Sequence, residues 1–146
     1  MSELWDARFM GLAAQIAGWS KDPSTSVGCV LVRGKNDVVS IGYNGPPAGV
    51  DDHMVERGRE VKLAITLHAE KNALLRARED VRGCTIYVWP MPPCAQCAAA
   101  IIQAGIARVV SCEPTADQYD RWGRDWALAE EMYRQTGVVL ETEVMA

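Results

Sequence analysis

Apolar positions recur at helical spacing through residues 4–20, LWDARFMGLAAQIAGWS, and stop at KDPSTS, where a proline and a cluster of hydroxyls predict a loop. Two β-branched runs follow, VGCVLVRG and VVSIGYNG, joined at KND, and predict a hairpin. Residues 46–62, PPAGVDDHMVERGREVK, read as a polar loop with room for one short helix. Helical spacing returns in HAEKNALLRARE (68–79), GCTIYVWP (83–90) is an apolar strand, and PCAQCAAAIIQAG (93–105) is an alanine-rich helix closed by Gly105. RVVSCE (108–113) predicts another strand, ADQYDRWGRDWALAEEMYRQTG (116–137) a long amphipathic helix, and VVLETEV (138–144) a last strand.

After the opening hairpin, strands and helices alternate, which predicts an α/β fold whose sheet is parallel in its later half, with helices on its faces. In such sheets a ligand sits at the carboxyl ends of strands, where the following helices begin. Two helix openings carry reactive side chains, His68 and Glu70 in one and Cys94 and Cys97 in the other. If both helices start at one edge of the sheet, the four converge. A chain of 146 residues, 49% hydrophobic, can bury one sizeable core, so residues 1–146 are expected to form one domain.

Charge and cysteine content narrow the partners. The formal net charge is −4, which works against a nucleic-acid partner but leaves room for a small anion met by one or two local cations. The basic groups in VERGREVK and LLRAR read as solvated faces. No run approaches a membrane span and MSELWDARFMGLAAQ lacks a secretory pattern, so the expected location is the cytoplasm, with no membrane partner. The five cysteines are odd in number and lie mostly in apolar runs, against a disulfide framework.

Imidazole and thiolate are preferred zinc ligands, and three protein ligands leave a fourth tetrahedral position for water. Cys94 and Cys97, at i and i+3, can point the same way, and a helix N-terminus favours their thiolates; His68 supplies the third donor. A structural site would want a fourth ligand. Glu70, just beyond the metal, can take a proton from water and pass protons to a ring nitrogen and a departing amine. Taken alone, the CxxC also fits a redox pair and the HxE says little. A non-catalytic zinc-stabilised module would have no need of Glu70.

Jointly, H-A-E followed by P-C-A-Q-C matches the H-x-E…P-C-x-x-C signature of zinc nucleobase deaminases. With SKDPSTSVGCVLV, IGYNGPPAGVDD and IIQAGIARVV, the chain resembles the cytidine deaminase superfamily, and within it the deoxycytidylate (dCMP) deaminase family, over roughly residues 5–113. The resemblance implies a three-layer α/β/α fold with a central five-stranded mixed sheet, one Zn2+ per chain on His68, Cys94 and Cys97, and Glu70 as proton shuttle. It implies a small nucleotide substrate, dCMP, converted to dUMP and ammonia, and often a homohexamer regulated by dCTP and dTTP. Substrate contacts are expected from Asn44, Ala69 and the loop residues Ser20 and Lys21, with Lys21 as the phosphate grip. Asn44 also has a local reading, as a turn residue that tolerates left-handed backbone.

The chain departs from the family pattern in three places. YVWPMPPC is one residue longer than usual between the strand tyrosine and the first metal cysteine, which bears on the wall beside the base. Residues 45–67 hold no cysteine, so the second zinc of phage-type relatives is not expected. The C-terminal helix matches weakly, and its Trp122 and Trp126 read as core or oligomer contacts. Deamination of another base, a nucleoside, a modified pyrimidine nucleotide or tRNA adenosine stays open at this stage, the acidic balance counting against tRNA.

Overall fold

In a computed structural model the described residues are 3–143. Helix α1 (Glu3–Ala17) precedes the hairpin of β1 (Gly28–Arg33) and β2 (Asp37–Tyr43). A 3₁₀ turn (Asp52–Arg57), α2 (Arg59–Ile65) and α3 (Ala69–Arg76) come next, then β3 (Thr85–Trp89), α4 (Ala95–Gln103), β4 (Arg108–Cys112), α5 (Ala116–Thr136) and β5 (Val139–Glu143). The last strand, expected over 138–144, ends within the described residues at Glu143; Val144 lies outside them. The region read as a polar loop with room for one short helix contains the 3₁₀ turn and the first part of α2, which runs on to Ile65; neither buries a residue, and so neither shows an apolar period.

The sheet order is β2-β1-β3-β4-β5. β1 pairs antiparallel with β2 and β3, whereas β3–β4 and β4–β5 are parallel. This is the expected five-stranded mixed sheet, antiparallel where the hairpin opens it and parallel where helices cross over. Strand alternation sorts β1 onto two cores. Cys29 and Leu31 join Ile86, Val88, Ala73, Ala98, Ile101, Ala129 and Tyr133 beneath α3, α4 and α5. Val30 and Val32 join Phe9, Met10, Ala13, Ile16, Tyr87 and Val110 beneath α1. The result is three layers, one helix on one face and three on the other.

Two glycines allow the helices to seat closely. A Cβ on Gly28 would lie 2.0 Å from the Ala13 carbonyl oxygen of α1, and one on Gly42 would lie 2.3 Å from that of Ala69 in α3. Further bonds fix α3 on β2: Ser40 Oγ donates to the Ala73 carbonyl (2.8 Å), and Asn72 Nδ2 to that of Tyr43 (2.7 Å).

At the far edge, Asp6 of α1 accepts from Tyr87 Oη (2.6 Å) and from Arg108 Nη1 and Nη2 (3.0 and 2.6 Å), and Arg108 also reaches Glu141. Arg108 holds the Asp6 carboxyl below the usual carboxylate range, against burial. Breaking a buried ion pair is strongly destabilising, and because Arg108 keeps Glu141, Asp6→Asn is expected to cost about 3 kcal/mol at pH 7. A depressed carboxyl contributes stability above its unfolded pKa, about 3.9, and loses it as pH falls through the folded value. Urea unfolding of Asp6→Asn and wild type should therefore show a gap that shrinks below about pH 4; a gap that widens in acid would remove the ion pair from the explanation.

Candidate active site

His68 and Cys94 are the N-cap residues of α3 and α4, in extended backbone conformation, and neither caps its helix with its own side chain. The imidazole and thiol are thus free to turn toward each other, one residue before the helices in which the sequence pattern placed them. Gly45 and Leu67 form an isolated antiparallel bridge (3.1 and 2.8 Å) that ties the residue before His68 to the end of β2. The opening of α4 is held from α5: Asp125 Oδ2 accepts from the Ala95 N–H (2.7 Å), and Trp126 Nε1 donates to the Pro92 carbonyl (3.1 Å).

His68 Nδ1 lies 3.5 Å from Cys94 Sγ and 3.3 Å from Cys97 Sγ, and the three donor atoms fall within 4.8 Å of one another. A tetrahedral zinc ion, with Zn–S of about 2.3 Å and Zn–N of about 2.0 Å, sets sulfur and nitrogen ligands roughly 3.5 Å apart. The constellation fits that ion in donor chemistry and in spacing. Cys94 is pulled down to about 4, first by its hydrogen bond with Cys97 and then, against burial, by His68. His68 is raised, chiefly by its hydrogen bond with Cys94, and Cys97 is raised by the bond with Cys94 and by burial.

Glu70, in the first turn of α3, is 4% exposed, and burial pushes its carboxyl up to about 7. It lines a cleft of about 280 Å³ together with His68, Ala69, Cys94 and Asn44, near the size range of small-molecule sites. Asn44 is 7% exposed and clamps the preceding loop: Oδ1 accepts from the Val27 N–H (2.9 Å) and Nδ2 donates to the Thr25 carbonyl (2.8 Å). Its backbone is not left-handed, since no non-glycine residue among those described has positive φ; side-chain hydrogen bonds, not turn geometry, account for its place.

Ser20 and Lys21 do not line the cleft. Ser20 Oγ donates to the Asn44 carbonyl (2.8 Å) and accepts from the Asp22 N–H. Lys21 Nζ pairs with Asp52 across 2.7 Å, with 81% of its side chain exposed; the expected phosphate grip is turned to an acidic neighbour 31 residues away. The cleft instead takes cations that the sequence reading left as solvated or unassigned, Arg59 and Lys62 from α2 and Arg121 from α5. Trp126 is 5% exposed and in the core, as expected, yet it also lines the cleft, and so does Trp122, 41% exposed.

Residues 3–113 match the family model for the cytidine and deoxycytidylate deaminase zinc-binding region. The chain belongs to this family. It is a zinc-dependent hydrolytic deaminase, with the His68, Cys94 and Cys97 cluster as its candidate zinc site. The deaminase is 46% identical over 138 residues to the uncharacterized deaminase in the luxG 3′ region of Aliivibrio fischeri, covering 94% of this chain and 92% of that one. Identity to the deoxycytidylate deaminase of Mus musculus is 42% over 113 residues, 73% of this chain, and the match spans 63% of the mouse enzyme's length. The dCMP deaminase from the cyanophage S-TIM5, solved in complex with dCMP and dUMP, shares the fold: TM-score 0.78 at 24% identity, over 98% of this chain and 99% of that one. The family match ends at Glu113, so α5 and β5 lie beyond it. No helix among the described residues is long and apolar enough to cross a membrane.

Proposed function

We propose that this deaminase converts dCMP to dUMP and ammonia. The observation that carries the reading is the placement of one buried carboxylate, Glu70, in the cleft lined by His68 and Cys94, two of the three donors of the candidate zinc site. The deoxycytidylate deaminases among its relatives, 42% and 41% identical in mouse and human, support dCMP among the possible amines. His68, Cys94 and Cys97 would hold one Zn2+, which supplies Lewis acidity toward water.

The protein's own groups do the rest. Glu70 takes a proton from the attacking water and delivers it to the ring nitrogen N3. It then carries a second proton to the amino group, which leaves C4 as ammonia while the carbon keeps the oxygen. The Ala69 N–H, at the first position of α3, has no partner within the helix and is available to the pyrimidine carbonyl. One N–H of the Asn44 amide is bound to Thr25, and the other is available to the sugar or base. The family's homo-oligomer and its control by dCTP and dTTP belong to the same reading; Leu63, Leu75 and Leu128, each more than 60% exposed, are candidates for covering by a second copy.

Ammonia release measured over dCMP, deoxycytidine, dCTP, CMP, adenosine and guanine tests the assignment. The expected result is the highest kcat/KM with dCMP and dUMP as product. A higher value for a nucleoside or a purine would replace it.

A further inference from the structure

Arg59, Lys62 and Arg121 line one cleft in a protein whose formal charge is −4. They are not equivalent. Lys62 Nζ lies 3.0 Å from Asp22 Oδ1 and 3.1 Å from Ser24 Oγ, and the two charged side chains are 20% and 9% exposed. Asp22 in turn accepts from the Ser24 and Thr25 N–H groups (2.8 and 3.1 Å). Lys62 is therefore neutralised, and it fixes the loop that forms one wall. The side chains of Arg59 and Arg121 make no hydrogen bond or ion pair among the described residues. Two elements thus bring two unpaired guanidiniums to the cleft lined by His68, Cys94 and Glu70.

We propose that Arg59 and Arg121 together clamp the 5′-phosphate of the substrate and set the preference for a nucleotide over a nucleoside. The inference rests on the dCMP reading above. A guanidinium presents a planar fork of donors that matches phosphate oxygens, and it stays charged at any working pH. With the base held against Glu70 and the zinc ligands, the phosphate lies at the nucleotide's opposite end, away from them. The remaining anionic group of the cleft wall, Asp22, is already paired, so the uncompensated charge left for a ligand there is positive. Lys21 is excluded by its own geometry: its ammonium is engaged by Asp52 outside the cleft. Arg121 belongs to α5, past the end of the family match at Glu113, so the zinc-binding signature gives no indication of this half of the clamp.

The experiment compares kcat/KM for dCMP with that for deoxycytidine in wild type, Arg59→Gln, Arg121→Gln, the double variant and Lys21→Gln, with zinc content measured for each. A charge-assisted hydrogen bond to an exposed group corresponds to roughly tenfold. The dCMP-to-deoxycytidine ratio is expected to fall about tenfold in each single arginine variant and about a hundredfold in the double. Lys21→Gln should keep the ratio within about twofold, as expected of an exposed ion pair. Replacing both arginines by Lys should restore part of the ratio, which a merely structural role would not produce. Raising ionic strength should lower the ratio in wild type and leave it flat in the double variant. The clamp is overturned if the double variant retains the wild-type ratio, or if Lys21→Gln loses as much as the double. Equal efficiency of wild type on deoxycytidine and dCMP would sink the dCMP reading itself, a result separable from either.

Discussion

Glu70→Gln is expected to bind zinc as wild type does and to deaminate about 10³–10⁴-fold more slowly. Glutamine keeps the volume of a side chain that is 4% exposed on α3 above β2, so helix seating and metal donors are left intact. What disappears is the group proposed to accept a proton. General acid–base groups are typically worth about 10²–10⁴-fold, and a residue that moves two protons in one turnover belongs at the upper end. Steady-state rates on dCMP, set beside zinc content from the same preparation, read the two properties separately. A variant within a few-fold of wild type would show that Glu70 is not the shuttle; loss of zinc would show that the substitution had damaged the site instead.

The parts of the fold and site that could be read from the sequence are those fixed by local periodicity. The opening hairpin and the alternating strands and helices after it predicted a sheet parallel in its later half, and HAE and PCAQC marked two helix openings whose donors meet within 4.8 Å. His68 and Cys94 were expected inside the helices and stand at their caps, because an apolar period cannot locate a helix boundary to one residue. The rim of the site was not legible for another reason: it is set by which side chains pair through space. Nothing near SKDPST announces that Lys21 meets Asp52 or that Asp22 takes Lys62, 40 residues away. Likewise α5 reads as an amphipathic helix whose tryptophans are core or oligomer contacts, and Trp126 does lie in the core. The same helix also holds the start of α4 through Asp125 and turns Arg121 and Trp122 to the cleft. A wall built from a distant helix leaves no motif, and neither does α2, which buries no residue.

Cys97→Ala is expected to bring zinc from about one equivalent per chain to near none and activity to background, with a measurable loss of stability. Cys97 is fully buried, on the first turn of α4, and its sulfur lies 3.3 Å from the imidazole at the start of α3. A metal held by these donors links the openings of two helices that otherwise meet through side-chain packing, so its binding free energy adds to that of the fold. Removing one of two thiolates leaves His68 and Cys94, too few protein donors for the three-ligand open site. The stability loss has two sources, the lost metal link and the cavity left by the sulfur, and chelation separates them. Wild type should unfold at lower urea after zinc removal, whereas the Cys97→Ala midpoint should not respond to chelator or to added zinc. The difference between chelated wild type and the variant is then the packing contribution alone. A Cys97→Ala protein that keeps stoichiometric zinc, or whose midpoint still moves with chelator, would take Cys97 out of the ligand set. A reproducible second equivalent in wild type would require donors beyond His68, Cys94 and Cys97, the one cluster of its kind among the described residues.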